Sequence, residues 1–176
     1  SIFKQQLKQH AIITKVTFKL ACNFVANLTY QQLAQLAADK NGNTAKLTAQ
    51  DMYNLVAKLR AQKLPDPQIL PNLGSFFKNP IIAQQQYTEL TSVYADMPSF
   101  NINQPNMLKT SAAWLIEKCG FKGYSKNNVA ISKQHSLVLT NCGGATQENV
   151  LALANKIIDA VKSKFAISLE IEPIVW

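Results

Sequence analysis

An α+β fold follows from three observations. Strand-like and helix-like stretches alternate irregularly, the helical ones carry apolar residues at 3.6-residue spacing behind capping residues, and no GxGxxG turn marks a doubly wound sheet. Residues 11–20 alternate with a period near two, Ile12, Thr14, Val16, Phe18 and Leu20 against Ile13, Lys15, Thr17 and Lys19, which predicts a half-buried strand. Residues 29–38 place Leu33, Leu36 and Ala37 at helical spacing, and residues 39–43 read as a loop. Thr48 with Asp51 forms a capping-box-like start for a helix with Met52, Leu55, Val56 and Leu59 on one face. Pro65 and Pro67 prevent its continuation, and residues 63–80 read as a long loop, a kind that is often functional. A short helix over 84–93, a proline- and asparagine-rich loop to Asn106, and a helix over 111–119 stopped by Gly120 come next. Residues 129–132 and 136–141 are expected strands. Thr146 caps a long amphipathic helix with Val150, Leu153, Ile157, Val161 and Phe165 inward. A last strand alternates Ile167, Leu169 and Ile171 against Ser168, Glu170 and Glu172.

With 176 residues, 47% hydrophobic and 16% charged, the chain has a globular balance and can bury a core without disulfides. No apolar stretch approaches the ~20 residues of a membrane span. The first ten residues lack the apolar segment of a signal peptide, so a cytoplasmic location is expected. Cys22, Cys119 and Cys142 form no CxxC, which argues against zinc and for reduced, mostly buried thiols. The net charge of +8 is almost entirely lysine, Arg60 being the one arginine. Bidentate base and phosphate readers lean on arginine, so a nucleic-acid-binding module is the weaker alternative. An anionic small-molecule substrate or a solvated lysine surface fits the charge. The apolar ends, from Ser1 and to Trp176, read as those of a piece of something larger.

The loop around Gly74 and Ser75 carries the most chemistry. Glycine lets a backbone approach a ligand, the serine offers a hydroxyl, Phe76 and Phe77 can exclude water, and Lys78 and Asn79 add a cation and an amide. A merely packed turn has the same composition. Two histidines, His10 and His135, and no GxSxG elbow argue against a serine hydrolase. Glu172 shares a strand face with Glu170 and could equally be a solvated carboxylate. Lys63 is a held cation or a surface lysine, and His135 a ligand group or a satisfied turn histidine.

Lys63 to Pro67 (KLPDP) followed by Gly74 to Pro80 (GSFFKNP) resembles the family of UDP-N-acetylenolpyruvoylglucosamine reductases. So do Ala113 to Glu117 with Gly123, Leu137 to Asn141, Leu169 to Glu172, Ser1 to Lys4 and Leu28 to Tyr30, in the same order. The resemblance implies a flavoenzyme in which NADPH reduces FAD and the hydride passes to the enolpyruvyl C3 of a UDP-sugar. It implies Ser75 as the general acid protonating C2, and Glu172 as the carboxylate that steadies the enol-like intermediate. Tyr30 and Lys63 would bind the diphosphate and carboxylate side of the substrate, Asn79 the nucleotide side, and Gly74 would approach the cofactor. Phe100 replaces a substrate-binding tyrosine and His135 a glutamine of some members. An arginine that polarises the substrate carboxylate lies in a YRDS motif at whose serine this chain begins, and the arginine after Glu172 is missing. The implied layout is the tail of a flavin-binding lobe over 1–64, a substrate-binding domain over 65–166, and a returning strand over 167–176. The rest of that lobe, an N-terminal FAD-binding region, is the expected partner. A different flavoprotein's substrate domain is the other alternative.

Overall fold

A computed structural model describes residues 2–4, 6, 7, 10–41 and 47–175, which fall into two compact units, Ser1–Val56 and Ala57–Trp176. The first unit holds a 3-10 turn at Ile2–Lys4, helix α1 (Gln31–Asn41) and the start of α2 (Ala49–Lys63), with Leu33, Ala37, Leu47 and Leu55 buried. The capping box of α2 forms as the sequence predicts: the Asp51 amide donates to Thr48 Oγ1 and the Thr48 amide to Asp51 Oδ2, both at 3.1 Å. Helix α1 runs on through residues 39–41, where a loop was expected; residues 42 and 43 of that expected loop lie outside the described residues.

No strand forms over residues 11–20, against the expectation from their alternation. A strand exists only through hydrogen bonds to a neighbour, and these residues carry no regular structure and are exposed on both faces. This expected flank of the FAD-binding lobe is therefore not a strand.

The second unit contains β1 (Asn72–Ser75), β2 (Ile81–Ala83), α3 (Gln84–Val93), β3 (Ser99–Asn101), β4 (Met107–Thr110), α4 (Ala112–Lys118), β5 (Ser125–Lys126), β6 (Val129–Ile131), β7 (Val138–Asn141) and α5 (Gln147–Phe165). One antiparallel sheet has the order β1-β7-β6-β5, the other β2-β4-β3. The region expected as one loop over 63–80 thus contains β1, which pairs with β7 across an irregularity between Asn72 and Ser75.

Helix α5 explains much of the core. Thr146 Oγ1 accepts from the Asn149 amide at 3.3 Å, and the Thr146 amide donates back to Asn149 Oδ1 at 3.1 Å. Leu153, Ile157, Val161 and Phe165 then fall on one stripe and are all buried. They meet Leu115 and Ile116 of α4, Val129 and Ile131 of β6, and Leu139 of β7 in one cluster. Ala166 ends the helix in the left-handed region at φ 55°, and Gln86 Nε2 donates to the carbonyls of Phe165 and Ala166 at this bend. The chain then turns back across the domain. Over 167–172 the expected strand is reduced to one isolated antiparallel bridge, Ile171 with Phe77. Of the thiols expected to be mostly buried, Cys22 and Cys142 are exposed and Cys119 is half-buried. No helix is long and apolar enough to cross a membrane, and no group of three or more His, Cys, Asp or Glu could hold a metal, among the described residues.

Candidate functional site

Asn72 organises the approach to Ser75. Its Nδ2 donates to the carbonyls of Pro65 and Leu70, and its Oδ1 accepts from the Gly74 amide, each at 3.1 Å. This side-chain turn holds Gly74 at φ 62°, where a Cβ would be strained. The space over its α-carbon is open, since a Cβ built there meets nothing within 4 Å. Ser75 follows, exposed, in register with Val138. Its hydroxyl has no hydrogen-bond partner among the described residues. Phe76 and Phe77 are both buried and meet edge to face with centroids 5.3 Å apart, anchoring the turn.

Residues 76–78 lie between two other segments. On one side the Phe76 amide donates to the Leu137 carbonyl at 2.8 Å. On the other, the Glu172 amide donates to the Phe76 carbonyl and the Lys78 amide to the Glu170 carbonyl, both at 2.9 Å. These two bonds flank the Phe77–Ile171 pair. Ile167 and Leu169 are buried while Ser168, Glu170 and Glu172 face solvent, the in-and-out sense the alternation predicts. Glu172 is thus bonded through its backbone to the residue after Ser75, and Lys78 Nζ pairs with Glu170 Oε1 on the solvent side.

His135 lies half-buried in the turn before β7. Its Nδ1 accepts from the Leu137 amide at 3.3 Å and its carbonyl from the Val138 amide at 3.0 Å. Burial, then the charges of Lys63 and Lys122, push its pKa below the usual imidazole value. Both this lowering and the bond accepted at Nδ1 favour the neutral ring with its proton on Nε2. A pocket of about 380 Å³ beside it is lined by Ser136, Trp114, Glu117 and Lys122 among others. Sequence reasoning missed Lys122, which Glu117 holds through both carboxylate oxygens at 2.9 and 3.0 Å; opposite charges flanking the end of α4 were the available signal. A second cavity, about 410 Å³, is lined mainly by apolar groups including Phe76, Leu139, Val150, Leu151 and Ile174.

The remaining expected residues are placed differently. Asn79 Oδ1 accepts from the Ala112 amide at 2.9 Å, so half of that side-chain amide supports the start of α4. Phe100 is exposed on β3, opposite Lys109, and not on the segments that carry Ser75 and Glu172. Tyr30 belongs to the first unit, where its Oη donates to Gln32 Oε1 at 3.2 Å ahead of α1.

These features define an α+β domain built around a glycine–serine turn, with a carboxylate-bearing segment returning beside it. Residues 66–176 match the family described as UDP-N-acetylenolpyruvoylglucosamine reductase, C-terminal domain, and the chain belongs to that family. It is 40% identical over 172 residues to the UDP-N-acetylenolpyruvoylglucosamine reductase of Photobacterium profundum, covering 98% of this chain and 48% of that protein. The reductase of the same name from Polynucleobacter asymbioticus is 40% identical over 174 residues, covering 98% and 48%, and that from Aliivibrio fischeri 36% over 172 residues, covering 98% and 47%. The chain spans about half the length of the curated relatives it matches. The crystal structure of the Thermus caldophilus reductase aligns with 72% of this chain and 34% of its own, at 23% identity and a TM-score of 0.44.

Proposed function

We propose that this chain is the substrate-handling part of an NADPH- and FAD-dependent reductase that converts UDP-N-acetylenolpyruvoylglucosamine to UDP-N-acetylmuramate for peptidoglycan, in the cytoplasm. The observation that supports it most is the bond from the Glu172 amide to Phe76, beside Ser75, in a chain whose residues 66–176 match this family. In this reading residues 1–64 are the tail of a flavin-binding lobe, 65–166 the substrate-binding domain and 167–176 the returning segment. The N-terminal half of the relatives' length supplies the rest of the lobe, and this chain alone turns nothing over.

The open space over Gly74 suits close approach of a flat ring to the backbone, so Gly74 would meet one edge of FAD. When bound and reduced by NADPH, FAD supplies the hydride that C3 of the enolpyruvyl group receives. Ser75 donates its Oγ proton to C2 and recovers one from solvent through its exposed side. Glu172 steadies the enol-like intermediate between these events. Lys63 and Tyr30 hold the diphosphate and carboxylate side. Asn79 has its Nδ2 protons left for the nucleotide, because its oxygen is bound to Ala112. Phe100 offers the uridine diphosphate an apolar ring without a hydroxyl, and His135, being neutral, donates only through Nε2.

The test joins this chain to the N-terminal half of the Photobacterium profundum relative and confirms flavin uptake by visible absorbance. NADPH oxidation that depends on the enolpyruvyl substrate is expected. Ser75→Ala should cut that turnover by about a hundredfold or more while leaving flavin reduction by NADPH nearly unchanged. Equal slowing of both half-reactions would remove the proton-donor role, and a flavin-loaded fusion without substrate-dependent turnover would remove the function.

A further inference from the structure

We infer that Lys78 and Glu170 are positioning residues whose ion pair fixes the register in which the closing segment sets Glu172 beside Ser75. The geometry stands on its own, and its purpose rests on the reductase reading. Residues 169–172 are held to residues 76–78 by one bridged pair and the two backbone bonds that flank it. So short a ladder fixes register weakly by itself. Hydrophobic alternation narrows the choice: a slip of one residue would turn Ile167 and Leu169 outward and the carboxylates inward. A slip of two keeps that alternation, so something else must exclude it.

Residues opposed across an antiparallel pair share a face, and Lys78 lies opposite Glu170 on the solvent side, where their charges pair. Slipping two residues one way would leave Lys78 facing Ser168, which offers no charge. Slipping the other way would place Glu172 opposite Lys78 and give Ile171's place against Phe77 to Pro173. In that register Glu172 would lie opposite Lys78 instead of Phe76, and its carboxylate would pair with the lysine. Glu170 therefore does two things: it satisfies Lys78, and it leaves Glu172 next in line, beside the residue that follows Ser75.

The test uses Lys78→Met, Glu170→Gln, Lys78→Arg and the reversed pair Lys78→Glu with Glu170→Lys. In this chain by itself, amide hydrogen exchange at Glu172 and Lys78 should quicken in Lys78→Met and Glu170→Gln. It should return toward the parent rate in Lys78→Arg and in the reversed pair. In the flavin-loaded fusion the same two neutralised variants should lose about tenfold or more in kcat with KM changed less than about twofold, again with recovery in the reversed pair. Unchanged exchange, a reversed pair no better than the single variants, or a rise in KM at constant kcat would each overturn the positioning role. Should the parent fusion show no turnover, the reductase reading falls while the exchange measurement still decides the register.

Discussion

In residues 11–20 the apolar side chains at alternate positions stand in solvent, Val16 61% and Phe18 78% exposed, whereas in residues 167–172 Ile167 and Leu169 are only 3% and 5% exposed. Both stretches alternate in sequence. What differs is the company each keeps. The later one is delivered by α5 onto residues 76–78 and exchanges backbone hydrogen bonds with them, while the earlier one has no partner strand among the described residues. Alternation tells which face of a stretch can be buried; burial itself needs a neighbouring chain to supply the ladder.

The largest test of that difference is to place a charge in each stretch. Leu169→Asp puts a carboxylate into the buried apolar cluster and should cost about 3 kcal/mol or more in urea unfolding. Phe18→Asp should stay within about 0.5 kcal/mol. Equal losses would mean that residues 11–20 are docked in solution. A middle-sized effect is expected where the closing segment originates. Thr146→Ala removes the reciprocal cap of α5 and should cost about 1 kcal/mol in the same measurement.

The smallest effect concerns the opposite edge of the same ribbon. His135 has its folded pKa below the ordinary 6.5, first through burial and then through Lys63 and Lys122. The unfolded chain therefore takes up a proton there before the folded one does. Its contribution to stability is fully present above about pH 6.5 and declines as pH falls below that value toward the folded pKa. His135→Gln should flatten that part of the dependence of the urea midpoint on pH. A variant with the parent's slope would show that His135 is not its source.

Much of the helical structure was legible because its signals are local. Helix α3 has the bounds its spacing predicts, 84–93, and Thr48, Ser111 and Thr146 each cap the helix they precede. The strands were harder. Strands β2, β3 and β5 are two or three residues long, too short to show a period, and β1 is interrupted by a left-handed glycine inside a stretch rich in proline. For the site, the composition around Gly74 singled out the turn. Nothing local could say that Glu172 would come to lie beside it, because the pairing depends on α5 reversing the chain at Ala166. Asn79 marks a similar limit: nothing local could say that its side-chain oxygen would accept from the Ala112 amide, far along the chain.

The bridge between Phe77 and Ile171 also ties together residues far apart in the chain. Loop-closure entropy rises only slowly with the length of chain enclosed, so the separation of these residues is a modest obstacle in itself. The stronger requirement is a packed surface. Ile167 and Leu169 land on a surface that α4, α5 and β6 build together. The turn bearing Ser75 pairs with β7, whereas the segment that carries Glu172 rests on a surface made by the rest of the domain. A fastening of so few bonds is the kind that local opening releases early.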